Sequence, residues 1–334
     1  MKNSPFAFHG GDTKAAEATF GRPRDGWIDL STGINPFHYP IEEVGHEFWT
    51  ALPSIADETA LRMAAAKFYD VRNLEFVVSA PGTQSLIQWL ARLRPAGRVV
   101  ILEPTYSEHA IAWRTAGHMV RGANTLDDTA EADVVIVVNP NNPTGRHFPP
   151  DHLAAVARRL NRRRGWLIVD EAFAEVWPSA GMAPRTGERG LIVLRSFGKF
   201  FGLAGIRLGF ALAPEPIATS LRRALGPWAV GGPAVALGTL ALADEEWVGS
   251  TRRLLQEMGS RLHDRLTAHG LAVIGGTALF KLVETPDAVT LHHHLAAAGI
   301  LTRPFPAHPY WLRFGLPGPA EAWRRLESAL ETRP

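Results

Sequence analysis

The sequence predicts an α/β protein: a large domain with a mostly parallel central sheet and helices on both faces, plus a smaller α/β domain. From about Glu75, short apolar runs alternate with segments whose apolar residues have helical spacing. The run at 134–138 is entirely apolar, which is typical of a strand covered on both faces. After Pro233 the alternation gives way to a long helical region. This order predicts parallel strands joined by right-handed crossovers.

The individual elements follow from periodicity and from residues that end helices. In the large domain, strands are predicted at 76–79, 99–102, 134–138, 166–169, 191–194 and 206–212. Helices are predicted there at 83–93, at 108–116 before Gly117, and from a capping Asp151 to about 163. Beyond Pro233, helices are predicted at 234–269, at 289–298 and from 319, with strands at 271–274, 279–283 and 311–314. We expect an N-terminal arm (1–45) that packs with the small domain, a large domain (46–230) and a small domain (231–334).

Composition excludes several classes of protein. The 334 residues include 35 basic and 33 acidic side chains, so the formal charge of +2 argues against a strongly basic nucleic-acid-binding protein. No apolar run approaches the ~20 residues of a membrane helix, and residues 1–11 have no signal-peptide pattern. The absence of cysteine excludes disulfides, thiolate metal sites and a cysteine nucleophile. We therefore expect a cytoplasmic protein without nucleic-acid or membrane partners.

Lysine is rare in this chain, and one lysine has an unusual setting. Only five basic residues are lysine, and Lys199 lies among phenylalanine and glycine residues just after a predicted strand. Apolar surroundings disfavour the charged form of lysine, and a neutral lysine is a nucleophile. Ser196 precedes it by three residues and Arg207 follows by eight, so a hydroxyl and a guanidinium could hold a phosphate there. The alternative is a glycine-rich loop whose lysine stem covers apolar surface.

Three other predicted strands also end in polar residues. The turn after 134–138 contains Asn142, although an ordinary strand-ending turn would have a similar sequence. Asp170 ends a buried strand, where a carboxylate needs a partner or serves as a helix N-cap. The turn at 79–85 leads into a helix whose free N–H groups can bind an anion. Together these positions predict pyridoxal phosphate: its phosphate near Thr83, its aldehyde at Lys199 and its ring between Asp170 and Asn142.

In this order and spacing, the motifs resemble those of the fold-type I pyridoxal-phosphate enzymes, the aspartate aminotransferase superfamily, over nearly the whole chain. The resemblance implies that Lys199 forms the Schiff base and that Asp170 pairs with the pyridinium nitrogen, which makes these two the catalytic residues. It also implies that Tyr106 stacks on the cofactor ring. The implied cofactor-binding residues are Gly82, Thr83, Gln84, Tyr106, Asn142, Asp170, Ser196, Lys199 and Arg207.

Within the superfamily, the chain resembles histidinol-phosphate aminotransferases and the threonine-phosphate decarboxylases of cobalamin biosynthesis. The segments 9–12 and 28–36 are similar to the N-terminal region of the decarboxylases. This resemblance implies a homodimer that decarboxylates L-threonine O-3-phosphate, a phosphorylated amino acid, to (R)-1-aminopropan-2-ol O-phosphate. The implied substrate-binding residues are His9, Gly10, Ile34, Asn35, Asn142 and Arg313. Arg313 would bind the substrate carboxylate, whereas His9 could also be a frayed terminal residue.

Two departures from the aminotransferase pattern bear on the reaction. Phe173 stands where histidinol-phosphate aminotransferases usually have a tyrosine, which favours a reaction other than transamination. Leu52-Pro53 stands where they show a Tyr-Pro pair that reaches the neighbouring subunit, so the residue making that contact stays unassigned. A histidinol-phosphate aminotransferase using 2-oxoglutarate and a non-enzymatic regulator remain alternatives. The run 292–294 of three histidines is expected to be a solvated face or partial core, because consecutive helical residues point in different directions.

Overall fold

The computed structural model describes residues 10–41 and 44–333, except for the side chain of Ala180. The chain divides into two compact units. The large unit comprises His38–Asn142 and Arg146–Ser250, and the small unit comprises Met1–Phe37, Pro143–Gly145 and Thr251–Pro334. The predicted boundaries after residues 45 and 230 differ from the limits of these units, and the division into functional domains stays a prediction.

The elements are numbered in chain order. The strands are β1 (Ile28–Asp29), β2 (Val77–Ala80), β3 (Arg98–Leu102), β4 (Met119–Ala123), β5 (Val134–Val138), β6 (Trp166–Asp170), β7 (Leu191–Ser196), β8 (Gly209–Leu212), β9 (Ala272–Thr277), β10 (Phe280–Glu284), β11 (Ile300–Leu301), β12 (Arg303–Pro304) and β13 (Trp311–Gly315). The α-helices are α1 (Thr13–Phe20), α2 (Glu47–Thr50), α3 (Ile55–Phe68), α4 (Thr83–Arg92), α5 (Glu108–Thr115), α6 (Pro150–Asn161), α7 (Phe197–Phe200), α8 (Glu215–Leu225), α9 (Gly232–Ala243), α10 (Glu245–Ala268), α11 (Ala288–Ala297) and α12 (Ala320–Glu331).

A seven-stranded sheet in the order β2-β8-β7-β6-β5-β3-β4 forms the centre of the large unit. The pairs among β7, β6, β5, β3 and β4 are parallel, while β8 runs antiparallel to both β2 and β7. Every residue of β5 is buried, as its uninterrupted apolar sequence predicts. The predicted fold class, a mostly parallel sheet between helices, is confirmed.

The helices of the large unit bury their apolar faces against this sheet and against one another. Leu86 and Leu90 of α4, Trp113 of α5 and Leu221 of α8 belong to one buried core with residues of the strands. The helix α9 is apolar on nearly all sides and packs on α3. This packing places α9 in the large compact unit.

The small unit is built on an antiparallel sheet in the order β12-β13-β10-β9. A second, two-stranded pairing joins β1 in parallel to β11, with Ile28 opposite Ile300. Through this pairing the N-terminal segment belongs to the same compact unit as the C-terminal part of the chain.

The helical region predicted at 234–269 consists of two helices, because Asp244 interrupts it and its Oδ1 accepts the N–H of Trp247 (2.9 Å), capping α10. Two other predicted details are wrong. The strand predicted at 206–212 begins only at Gly209, since Arg207 has a left-handed φ of 55°. Asp151 does not cap α6: the capping position is Pro149, and Asp151 lies in the first turn, where it pairs with Arg185.

The histidines of α11 face different surroundings. His292 is buried with Nδ1 2.9 Å from Thr302 Oγ1, whereas His294 Nε2 lies 2.8 Å from the carbonyl oxygen of Ala329. Within residues 10–41 and 44–333, no group of three or more His, Cys, Asp or Glu side chains could hold a metal ion. In the same part of the chain, no helix is both long and apolar enough to cross a membrane. The cytoplasmic location stays a prediction.

Candidate active site

Three of the predicted site residues lie at or just beyond the carboxyl ends of adjacent parallel strands. Asp170 is the last residue of β6, opposite Val138 of β5 and Leu194 of β7. Asn142 follows β5 in a turn and is buried, and Ser196 ends β7. Parallel sheets bind ligands at this edge, because all their strands end there. The large unit therefore brings Asn142, Asp170 and Ser196 to one edge of its sheet.

A buried histidine holds the carboxylate of Asp170. His109 Nε2 lies 2.8 Å from Asp170 Oδ2, and both side chains are almost fully buried. The other oxygen, Oδ1, accepts the N–H of Ala172 at 3.1 Å. These contacts orient the carboxylate. Of the two roles that the sequence allowed, Asp170 is a buried carboxylate with a hydrogen-bonding partner at the end of a strand, rather than a helix N-cap.

Tyr106 and Gln84 lie beside this pair. The Tyr106 ring meets the His109 ring edge-on, with 6.2 Å between centroids, and its hydroxyl donates to Gln84 Oε1 at 3.4 Å. The amide of Gln84 in turn donates to Glu108 Oε2 at 2.8 Å. The structure thus joins three predicted site residues, Gln84, Tyr106 and Asp170, through His109.

The start of α4 forms a cradle with Arg207. Gly82 precedes the helix with a φ of 82°, and a Cβ there would lie 2.7 Å from Arg207 Nη2. A Cβ on Gly209 would lie 2.6 Å from the amide nitrogen of Thr83, and Gly209 is the register partner of Ser196. Glycine at both positions therefore lets a guanidinium, a helix N-terminus and a serine approach one another closely, which is a donor set suited to phosphate.

Lys199 occupies the short helix α7 within an aromatic cluster. The side chains of Phe197, Phe200 and Phe201 are fully buried, and the Phe197 and Phe201 rings stack 4.3 Å apart. The Nζ atom of Lys199 lies 5.7 Å from the centre of the Phe173 ring. Phe173 thus lies beside the amine without offering the hydroxyl that a tyrosine would supply.

In the small unit, Arg313 is a buried guanidinium. It lies on β13, where its Nη2 donates to the carbonyl oxygen of Ser31 (2.6 Å) and its charge faces the Phe280 ring at 5.1 Å. Burial, and then the positive charge of Arg303, lower the pKa of Arg313 well below its usual value, while Asp29 opposes them. An arginine in such a position favours an anionic ligand, because a carboxylate would offset the lost hydration.

Three further predicted substrate residues of the small unit, Gly10, Ile34 and Asn35, lie near Ser31 in the structure or in the sequence. A Cβ on Gly10 would lie 2.3 Å from the Ser31 carbonyl oxygen, and the Gly11 N–H donates to Ser31 Oγ at 2.8 Å. Asn35 is buried with Oδ1 accepting the N–H of Phe37 (2.8 Å), and Ile34 is half-buried. Gly10 and Arg313 therefore both contact the Ser31 peptide, while His9 lies outside the described residues.

Sequence reasoning missed two residues that the structure adds to these groups. His109 gave no signal because its partner is 61 residues away in sequence and meets it only through the packing of α5. Arg303 is the register partner of Arg313 on β12, which places two arginines side by side. Its position directly before Pro304, in a short loop-like segment, pointed to no particular role.

Comparisons with known proteins identify the family and the fold of this chain. The aminotransferase class I and II family matches residues 27–330. The chain is 46% identical to a threonine-phosphate decarboxylase of Pseudomonas aeruginosa over 96% of both chains, and 46% identical to one of Sinorhizobium sp. over 98% of both. A histidinol-phosphate aminotransferase from Sinorhizobium meliloti, solved with pyridoxal-5'-phosphate, has the same fold with a TM-score of 0.83, 21% identity, and coverage of 98% of this chain and 96% of that one. This chain belongs to the class I and II aminotransferase family.

Proposed function

We propose that this protein is a pyridoxal-phosphate-dependent decarboxylase that converts L-threonine O-3-phosphate to (R)-1-aminopropan-2-ol O-phosphate and carbon dioxide. The observation that carries the proposal is the similarity of this chain to two threonine-phosphate decarboxylases over nearly its full length. The sequence identity to these two proteins is well above the identity to a histidinol-phosphate aminotransferase. Phe173, in place of the tyrosine expected in an aminotransferase, supports the same reaction.

The residues of the large unit fit pyridoxal phosphate. The cradle of Gly82, Thr83, Ser196 and Arg207 offers amide, hydroxyl and guanidinium donors to a phosphate, and a Cβ at position 82 would fill part of it. Asp170 offers a buried carboxylate, held by His109, that can pair with a protonated ring nitrogen. Asn142 would meet the ring hydroxyl, and Tyr106 and Gln84 would line the ring.

Each polar side chain then has a defined task. Lys199 would hold the cofactor through Nζ, and its amine, once free, would deliver a proton to the substrate Cα in place of the lost carboxylate. Asp170 keeps a positive charge on the ring nitrogen, and His109 keeps Asp170 in place. When bound, the cofactor supplies the conjugated ring that takes up the electron pair released at Cα.

The choice of bond depends on the substrate's orientation. Decarboxylation requires the bond from Cα to the carboxylate to stand perpendicular to the ring plane, whereas transamination requires the Cα–H bond there. Arg313 binds the carboxylate through two parallel hydrogen bonds, and the neighbouring Arg303 adds a second positive charge for a doubly anionic substrate. Fixing the substrate at both its amine and its anionic groups selects the bond that breaks.

We propose that the protein acts as a homodimer through an apolar surface of the large unit. Trp49, Leu52, Ile55 and Trp228 all expose more than half of their surface. The backbone of Phe48 lies against Gly232 of α9. This contact brings the chain around Trp49 close to the chain around Trp228. Large apolar side chains grouped in this way are typical of a protein interface. A second copy of the chain is the expected partner, and analytical ultracentrifugation should show twice the monomer mass.

The test is an assay of purified protein loaded with pyridoxal phosphate. Threonine phosphate should yield carbon dioxide and one equivalent of aminopropanol phosphate, and protein stripped of cofactor should yield neither. Glutamate formed from histidinol phosphate and 2-oxoglutarate, with no carbon dioxide from threonine phosphate, would instead identify an aminotransferase. Absence of both reactions in protein that binds the cofactor would favour the regulator.

A further inference from the structure

A buried cluster of charges adjoins the candidate cofactor residues Asp170 and Ser196 in the chain. Arg195 Nη2 lies 2.9 Å from Glu171 Oε2, and its Nη1 lies 3.5 Å from Glu175 Oε1. All three side chains are almost completely buried, and the guanidinium also covers the Tyr69 ring at 4.8 Å from its centre. None of these residues has a task in the reaction described above.

The most informative property of the Arg195–Glu171 ion pair is its position in the sequence. Glu171 directly follows Asp170 at the end of β6, and Arg195 directly precedes Ser196 at the end of β7. The Glu171 N–H donates to the Leu194 carbonyl oxygen at 2.9 Å, which continues the pairing of the two strands beyond Asp170. The ion pair thus ties together the two strand ends that present Asp170 and Ser196.

Surrounding groups hold the pair in one arrangement. The N–H of Met182 donates to Glu171 Oε1, and a Cβ on Gly181 would lie 2.9 Å from Arg195 Nη2 and 3.1 Å from Glu171 Oε2. Burial lowers the pKa of Arg195, but the charges of Glu171 and Glu175 outweigh it and raise that pKa. Arg195 therefore stays charged, and the Glu171 carboxylate is clamped between a cation and a backbone amide.

We propose that Arg195 and Glu171 are positioning residues, whose buried ion pair sets the distance and angle between Asp170 and the Ser196–Lys199 segment. The proposal rests on the proposed cofactor site. The ion pair matters for the reaction because a displacement of the ends of β6 and β7 by a fraction of an ångström would tilt the cofactor ring relative to the bond that breaks. Misplacements of about 1 Å can cost ~10²-fold in rate without abolishing binding.

Glu171→Gln and Glu175→Gln form a matched pair of variants. Each removes one buried carboxylate of the same cluster by the same substitution and leaves the Arg195 charge facing the other carboxylate. Only Glu171→Gln weakens the tie between β6 and β7. With cofactor saturating, we expect it to lower kcat roughly 10- to 100-fold, to leave KM for threonine phosphate within about twofold, and to change the visible circular dichroism of the bound cofactor. Glu175→Gln should change kcat less than about threefold and leave the dichroism as in wild type.

The proposal is overturned if both variants behave alike, or if Glu171→Gln lowers only the unfolding midpoint. Should Glu171→Gln fail to fold, Gly181→Ala serves instead, because its methyl group displaces the ion pair without removing a charge. It should give the same change in dichroism, and an unchanged spectrum would overturn the proposal. A wild-type protein that binds the cofactor yet releases no carbon dioxide would refute only the proposed function, since the spectral comparison still holds. A wild-type protein that does not bind pyridoxal phosphate would refute both.

Discussion

The candidate residues of the two units are held in place in different ways. In the large unit, Asp170 and Ser196 take their positions from the register of parallel strands, and each has further partners nearby. In the small unit, Arg313 and Gly10 both contact the Ser31 peptide, which joins segments from opposite ends of the chain. The difference teaches that a cofactor site can be assembled from neighbouring strand ends, whereas the proposed substrate contacts depend on long-range packing. Changes in the large unit should then affect chemistry, and changes in the small unit should affect substrate binding.

The strongest test on the large-unit side is Lys199→Ala. Loss of the amine removes both the covalent attachment and the proton donor, so turnover of threonine phosphate should fall roughly 10³-fold or more. The absorption band of the lysine-bound cofactor should disappear, although noncovalent binding can persist through Arg207. Spectra and carbon dioxide release check this result, with Lys67→Ala, an exposed lysine paired with Glu245, as control. Full turnover without Lys199 would end the proposed mechanism.

Arg313→Lys tests the small-unit side of the comparison. A lysine keeps the charge but cannot form two parallel hydrogen bonds, so KM for threonine phosphate should rise about 10- to 100-fold, corresponding to the loss of a charge-assisted hydrogen bond. Cofactor affinity should be unchanged, because the proposed cofactor residues lie in the large unit. Steady-state kinetics and a cofactor titration measure the two effects, and Arg324→Lys on α12 is the exposed control. An unchanged KM for threonine phosphate would contradict the role of Arg313 in binding the carboxylate.

Acid should act on the small unit through His292. Burial, and then the charge of His293, lower the pKa of His292 to about 4. Below pH 6.5, His292 binds a proton in the unfolded chain but stays neutral in the native protein. The contribution of His292 to the free energy of unfolding is therefore fully present above pH 6.5 and is lost as the pH falls toward 4. Between pH 7.5 and 5 the loss is about 2 kcal/mol. Urea unfolding should show it in wild type and much less in His292→Gln, whereas His152→Gln on α6 should retain it; equal losses in all three proteins would contradict the assignment.

Gly82→Ala tests the cradle and should have the smallest effect. Its φ of 82° disfavours a side chain, and the new methyl group would press on Arg207 Nη2. We expect about tenfold weaker binding of pyridoxal phosphate, because the displaced guanidinium would lose a charge-assisted hydrogen bond to the phosphate. Gly205→Ala is the matched control, since a Cβ there meets nothing within 4 Å. Fluorescence titration of the apoprotein compares the two variants, and equal affinities would show that the cradle does not bind the phosphate.

Local sequence signals predicted most of the fold and part of the site. Apolar runs and turn residues located β5, β6 and β7, and therefore the ends at which Asn142, Asp170 and Ser196 lie. Asp244 was missed because a single polar residue within a long helical pattern does not reveal whether its side chain caps a new helix. His109, Arg195 and Arg303 were missed for a different reason. Their partners are fixed by helix packing and strand pairing between distant segments, which one sequence does not encode locally.

The contact between Gly82 and Arg207 also has a consequence for how this protein can change. The methyl group of an alanine at position 82 would collide with the flexible end of one side chain rather than with backbone. Shortening Arg207 would remove the collision but leave the backbone strain. Alanine at position 82 should therefore cost less when Arg207 has already been shortened, which makes the two substitutions epistatic. Homologues that have lost glycine at this position should therefore have altered the arginine too, and the pair should covary during divergence.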